Sequence, residues 1–285
     1  MKKNEKQYAI LMGNYNKTSL CILALLILSV SSASSWRSIV LTQNNHVAIR
    51  GSINSQSISD VLYKLGTEIV PTLNGTHNEI FIYLNSGGGT VYAGNKLIEE
   101  IMFLQNRNVT VSCIASRAYS MAFDIFQACD NRYITPTATL MQHQMSAADI
   151  SGSFENLLSE MDYMKQIYEN LLDFQSKRLN MTTEQFRDKI RHDWWLVGKN
   201  AVTNNAADQV ALVDCEPILY RTNTTTTVSM MFLGDISITQ SNCPLILAPL
   251  KVDFGGLVPL GIDGDELFEL FELSELFGAE KDIFY

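Results

Sequence analysis

A chain of 285 residues, 46% hydrophobic and 18% charged, is long enough for one large domain with appendages or for two small domains. That composition excludes a disordered or collagenous protein, and with a single long apolar run it excludes a multi-span membrane protein. The net charge of −9 is concentrated in residues 252–285, which carry nine acids against Lys281 alone; the rest is close to neutral and has no basic patch for nucleic acid.

Lys2, Lys3, Lys6 and Lys17 precede the apolar run Leu20 to Val30, and the small residues SSASS follow it. A basic start, a short apolar centre and a small-residue exit describe a cleaved secretory signal, with a retained membrane anchor as the second reading. The run has eleven residues, short of the ~20 that span a bilayer. Any membrane contact is expected only through residues 1–35. Asn-x-Ser/Thr triplets at Asn16, Asn74, Asn108, Asn180 and Asn223 permit glycosylation, although an Asn- and Thr-rich chain produces them by chance.

After short β-like runs over 36–50, Ile58, Val61, Leu62 and Leu65 fall at helical spacing, with Ser57 or Ser59 as the cap. EIFIYL has the pattern of a buried strand and runs into NSGGGT, whose glycines permit backbone geometry that other residues resist. A helix is expected from Val91 to about Gln105, then a second buried strand in VTVSCIAS. RAYSMAFDIFQACD switches to helical period. Ala118, Met121, Ala122, Ile125, Phe126 and Cys129 form its apolar stripe, and Arg117, Ser120, Asp124 and Gln127 its other face. Residues 133–145 are β-like, 154–179 form a long amphipathic helix, and Thr182 with Gln185 makes a capping box for a helix ending near Arg191. This alternation indicates an α/β domain over residues 36–215.

Beyond residue 216 the character changes into a C-terminal extension. TNTTTT reads as a polar linker, 228–252 as β-like, and 266–277 as an acidic amphipathic helix that packs on its own domain or docks on a partner. Cys113 and Cys129 sit among apolar residues and read as small core side chains; a Cys215–Cys243 disulfide is the alternative to free thiols. No C-x-x-C spacing or zinc pattern is present, so neither metal nor cofactor is expected.

A serine nucleophile needs a base, a group to orient that base, and donors aimed at the developing oxyanion. Ser120 is expected at a strand-to-helix turn, where unpaired N–H groups and the helix dipole favour negative charge. Taken alone it reads first as an ordinary helix-starting serine, since serines begin many helices. The combination YLNSGGGTV, ASRAYSMA, LMQHQ and RHDWW is more specific. In that order these segments are similar to Y-I-N-S-P-G-G, A-A-S-M-G, M-I-H-Q and R-D-x-F, and over about residues 43–215 the chain resembles the Clp protease proteolytic subunit.

The resemblance implies a ClpP/crotonase-type α/β fold, a repeated ββα spiral from which residues 154–179 protrude as a handle helix. It implies a serine endopeptidase that cuts unfolded or short peptides through an acyl-enzyme in homo-oligomeric rings, two stacked heptamers in the family, with an AAA+ ATPase unfoldase as partner. It carries Ser120 onto the nucleophile, His143 onto the general base and Asp193 onto the orienting acid, with the N–H groups of Gly89 and Met121 as the oxyanion hole. KNAVTNNAAD resembles E-A-x-x-x-G-L-x-D, with Asn205 replacing glycine in a left-handed position.

The chain departs from the family pattern at Gly87, where the family has proline, at Ala122, and at Ala147 and Ala148, where a glycine pair is lost. Asp124 falls in a helix that is apolar in the family. These departures put assembly and cleavage preference in question and motivate a second reading, a catalytically impaired ring subunit or membrane-tethered scaffold. The signal peptide peptidase A class, which shares the fold, uses a Ser–Lys pair, and Lys199 is a spare lysine. A crotonase-type acyl-CoA enzyme is a third reading. His46, His77 and His192 are rival histidines, and Asp124 a rival acid. A secretory route also conflicts with an ATPase partner confined to cytoplasm or organelle matrix.

Overall fold

The computed structural model describes residues 36–75, 78–146, 151–230 and 234–254. The apolar N-terminal run, His77, Ala147, Ala148 and the acidic segment 266–277 lie outside the described residues. Among the described residues no helix is long and apolar enough to cross a membrane.

The chain runs through β1 (Arg37–Leu41), β2 (His46–Ile53), α1 (Ser55–Lys64), β3 (Glu79–Gly89), α2 (Val91–Asn106), β4 (Thr110–Tyr119), α3 (Met121–Ala128) and β5 (Asn131–Gln142). It continues with α4 (Phe154–Arg178), α5 (Thr183–Lys189), β6 (Trp194–Val197), α6 (Lys199–Thr203) and β7 (Gln209–Cys215). The main sheet has the order β1-β7-β5-β4-β3-β2, with β6 beside β5. Its pairings are parallel except the antiparallel β5–β6 pair. The fold is mixed α/β with a mostly parallel sheet.

A parallel sheet is buried on both faces, and β3 is patterned for that. Ile80, Ile82 and Leu84 enter one apolar cluster and Phe81 and Tyr83 the other, as the two-residue period of a strand requires. The larger cluster takes Ile58 and Val61 from α1, Leu97 and Ile101 from α2, Phe123 and Phe126 from α3, Leu171 and Leu172 from α4, and Phe186 from α5. Each such side chain contributes about 1.5–3 kcal/mol when fully buried. The cap of α1 is Asn54, with Ser57 closing a reciprocal box from inside the helix, so neither serine is itself the cap. The Thr182–Gln185 box forms as expected.

The second face of the sheet is covered by the C-terminal extension. Leu219, from α7 (Pro217–Arg221), and Cys243 join Ile39, Leu41, Phe81, Tyr83, Ile114 and Tyr133, with Leu245 and Ile246 packed alongside. Arg50 Nη1 donates to the carbonyls of Ser241 at 3.2 Å and Ile246 at 3.3 Å. TNTTTT is not a linker: it lies in β8 (Asn223–Met230), which pairs antiparallel with β9 (Gly234–Ser241), itself paired with β10 (Lys251–Phe254). Threonine is β-branched and suits a strand, and its hydroxyls meet across the pair at 2.9 Å in both Thr225–Thr239 and Thr227–Ser237. Cys113 and Cys129 are buried but joined to each other rather than being free core thiols, and Cys215 is joined to Cys243.

The Cys215–Cys243 bridge closes a sequence separation of 28, and losing such a link costs about 2–4 kcal/mol. Cys243→Ser should therefore speed limited proteolysis within residues 216–254 while the sheet's larger cluster keeps its protection. Unchanged cleavage would mean that packing alone holds the extension.

Candidate active site

β3, β4 and β5 end at the same edge of the sheet, and the residues singled out by sequence gather there. Ser120 forms the single-residue joint between β4 and α3, with φ 56° and ψ −127°. Positive φ is strained for a residue with a Cβ, and it turns the side chain out of the strand direction. The joint is held by the Ser120 N–H donating to Met141 O at 2.9 Å and by Phe123 N–H donating to Ser120 O at 2.8 Å. The Ser120 side chain makes no cap bond to the helix it precedes. Its Oγ instead lies 3.0 Å from His143 Nε2, which removes the helix-cap reading. Arg117 to Tyr119 remain in β4, so the helix begins later than the period of the sequence suggests.

The glycine run is shaped around this serine. Gly88 has φ 99°, and a Cβ there would sit 2.7 Å from Ser120 Cβ and 2.8 Å from Tyr119 O. Gly89 has φ 149°, and a Cβ there would meet Ile53 O at 2.1 Å. Gly88, the first glycine of the pair in the motif, is thus the residue whose lack of a side chain lets the loop reach Ser120. Gly89 packs against β2. Met121 opens α3, so its N–H is among those with no intrahelical acceptor. Its side chain is buried against Gly94 of α2, where a Cβ would come within 2.4 Å of Met121 Cγ.

His143 follows β5, half-buried, and its N–H donates to Gln142 Oε1 at 3.0 Å. Asp193 precedes β6. The last pair of the β5–β6 ladder is Gln142 with Trp194, so His143 and Asp193 each lie one residue beyond it. The Asp193 residue is exposed, and no hydrogen bond or ion pair joins its carboxylate to a described residue. The structure therefore brings Ser120 and His143 together by side chain, and leaves Asp193 beside the end of the β5–β6 ladder without a side-chain bond to either.

The rivals are placed elsewhere. His46 is buried in β2, where its Nδ1–H donates to Thr42 O at 2.6 Å, and burial, reinforced by Lys64, lowers its pKa to about 4. His192 and Lys199 are exposed. Asp124 is fully buried rather than on a solvent face. Among the described residues no cluster of His, Cys, Asp or Glu could hold a metal ion. A surface cavity of about 530 Å³, lined by Asn45, Asn78, Glu79 and Phe81 among others, opens where β3 begins and not where it meets Ser120.

Residues 31–213 match the family model described as Clp protease. The chain belongs to the Clp protease family. It is 26% identical over 172 residues to the ATP-dependent Clp protease proteolytic subunit 1 of Frankia casuarinae, covering 58% of this chain and 76% of that one. It is 24% identical over 132 residues to the proteolytic subunit 2 of Tropheryma whipplei, covering 46% and 73%. Among solved structures, a ClpP1 mutant from Listeria monocytogenes matches with a TM-score of 0.51 at 23% identity, over 59% of this chain and 92% of that chain, a likeness of fold. This family member is thus a Clp-type peptidase, a hydrolase of peptide bonds.

Gly88→Ala should lower labelling by a fluorophosphonate about 10²-fold through displacement of Ser120, while Gly87→Ala, with open space at its Cβ, stays within about twofold. Equal effects would show that the contact with Ser120 is not limiting. His46 prefers to be neutral when folded, so its contribution to stability is complete above pH 6.5 and is lost as pH falls towards 4. His46→Asn should flatten urea-unfolding stability between pH 6.5 and 5; an unchanged slope would exclude His46 as its cause.

Proposed function

We propose that this Clp protease family member is a serine endopeptidase that cleaves unfolded or short peptides through an acyl-enzyme and works as an oligomeric ring. The observation that carries the reading is the 3.0 Å contact between Ser120 Oγ and His143 Nε2 at a positive-φ turn between strand and helix. At that distance the imidazole accepts the hydroxyl proton as Oγ attacks the carbonyl carbon of the substrate. The carbonyl oxygen becomes an oxyanion, which the N–H groups of Met121 and Gly89 are to hold. The protonated imidazole then gives its proton to the leaving amine, and water enters by the same route to release the acyl group.

An imidazolium formed next to a serine needs a carboxylate at Nδ1 to fix the tautomer and balance the charge. In this reading Asp193, one residue beyond the last β5–β6 pair, takes this role by a side-chain rotation from solvent towards the ring. The relatives, which are named as subunits of the ATP-dependent Clp protease, support a multi-chain assembly.

Three variants and one sizing measurement test the reading. Ser120→Ala should abolish fluorophosphonate labelling in a folded protein, and persisting label would remove the nucleophile. His143→Ala and Asp193→Asn should each lower peptide hydrolysis by about 10⁴-fold, as loss of a base or of its orienter does in serine peptidases. Full activity of Asp193→Asn would leave a two-residue site. Sedimentation should give a particle of many chains, and a fully active monomer would remove the ring.

A further inference from the structure

Beneath His143 lie three buried polar side chains that the reaction above does not use. Gln142, the last residue of β5, is 0% exposed, Asp124 on α3 is 0% and Gln175 on α4 is 1%. The Gln142 carboxamide is the hub. Its Oε1 accepts the His143 N–H at 3.0 Å, and its Nε2 donates to Gln175 Oε1 at 2.7 Å and to Asp124 Oδ1 at 3.3 Å. The family pattern M-I-H-Q has isoleucine at this position, and the helix around position 124 is apolar there, so the hub does not come with the family motif.

The chemistry of the partners fixes the orientation of this amide. A backbone N–H only donates and a carboxylate only accepts, so the oxygen of Gln142 faces His143 and its nitrogen faces Asp124. Each bond also ties a different element. Asp124 lies one turn beyond Ser120, and its N–H approaches Ser120 O at 3.4 Å. The hub therefore links the helix that carries the nucleophile, the strand end that carries the base, and the long helix α4. In a dry interior an unmade polar contact is costly, which makes the geometry stiff.

We propose that Gln142 is a positioning residue: it fixes the main chain of His143 relative to the Ser120 helix and so holds the imidazole at hydrogen-bond distance from Oγ. The proposal rests on the Ser120–His143 reading, which the Ser120→Ala label tests by itself.

The test uses Gln142→Met in the assembled full chain, with rates normalised to titrated active sites. Methionine keeps the length and removes the amide. A displaced base should lower kcat about tenfold and leave KM within about twofold, because it acts in the chemical step and not in substrate binding. An unchanged kcat overturns the proposal. A purely structural hub would lower Tm alone, so a second variant separates the two roles. Asp124→Leu with Gln142→Met and Gln175→Met replaces the three buried polar side chains by apolar groups, leaving only the His143 N–H to find another acceptor, and should regain most of the thermal stability. If kcat stays low while Tm recovers, positioning is upheld; if kcat recovers with Tm, the hub is structural and the proposal fails. Should the triple variant not fold, the kcat of Gln142→Met per titrated site decides. Loss of Ser120 labelling specificity would instead count against the nucleophile and leave Gln142 without a reaction to serve.

Discussion

The register between β4 and β5 sets the distance on which the site depends. Tyr119 pairs with Met141, and the next N–H along, that of Ser120, donates to the Met141 carbonyl. His143 lies two residues beyond Met141 and so returns to the same face of the strand. The adjacent register, Ser86 with Ala118, brings the glycine run to the same level. Parallel strands place their carboxyl ends together, where loops and helix starts gather the polar groups. A slip of one residue in β5 would turn His143 to the other face and leave Gln142 in its place. The buried faces forbid that slip, so the same apolar residues that hold the sheet also hold the distance between Ser120 and His143.

The parts legible from the sequence are those that local chemistry decides. Asn205, which the resemblance sets where the family has glycine, takes the left-handed conformation that asparagine tolerates next best, with φ 58°. Thr182 and Gln185 cap as their spacing requires. The strands of EIFIYL and VTVSCIAS, and the serine at the turn, were visible for the same reason. What escaped was decided by distant chain. α3 reads as amphipathic, yet all eight of its residues are buried. Its polar members are satisfied from remote segments: Gln127 meets Ala206 O at 3.0 Å and Arg132 Nη1 at 2.5 Å, and Asp124 meets Gln142 at 3.3 Å. A helical wheel assigns such residues to solvent because it carries no record of those partners. TNTTTT misled in the opposite sense, since its polarity suggested a linker while its β-branching suited a strand.

The second face of the sheet shows a different use of sequence. Phe81, Tyr83, Ile114 and Tyr133 form an apolar surface that, among the described residues, no helix before residue 216 covers. The extension supplies Leu219, Cys243, Leu245 and Ile246, and Arg50 reaches out of β2 to bind its backbone. The Cys215–Cys243 bond joins the last strand of the sheet to this cover. The Cys113–Cys129 bond likewise ties β4 to the residue that follows α3.

The environment of the His143–Ser120 pair is asymmetric. On the interior side the His143 main chain is held by a buried amide with three partners. On the solvent side Asp193 is exposed, one residue beyond the last β5–β6 pair. An exposed carboxylate gains little from a polar neighbour, because water screens it. In the reaction we propose, that balance changes once His143 takes the Ser120 proton under a bound peptide. The ring is then cationic, water is displaced from above it, and the same carboxylate is worth several times more. A base fixed from below and an acid recruited from above would make the carboxylate's contribution specific to the charged state of the reaction. Loss of Asp193 should then fall mainly on kcat, with little change in the resting contact between His143 and Ser120.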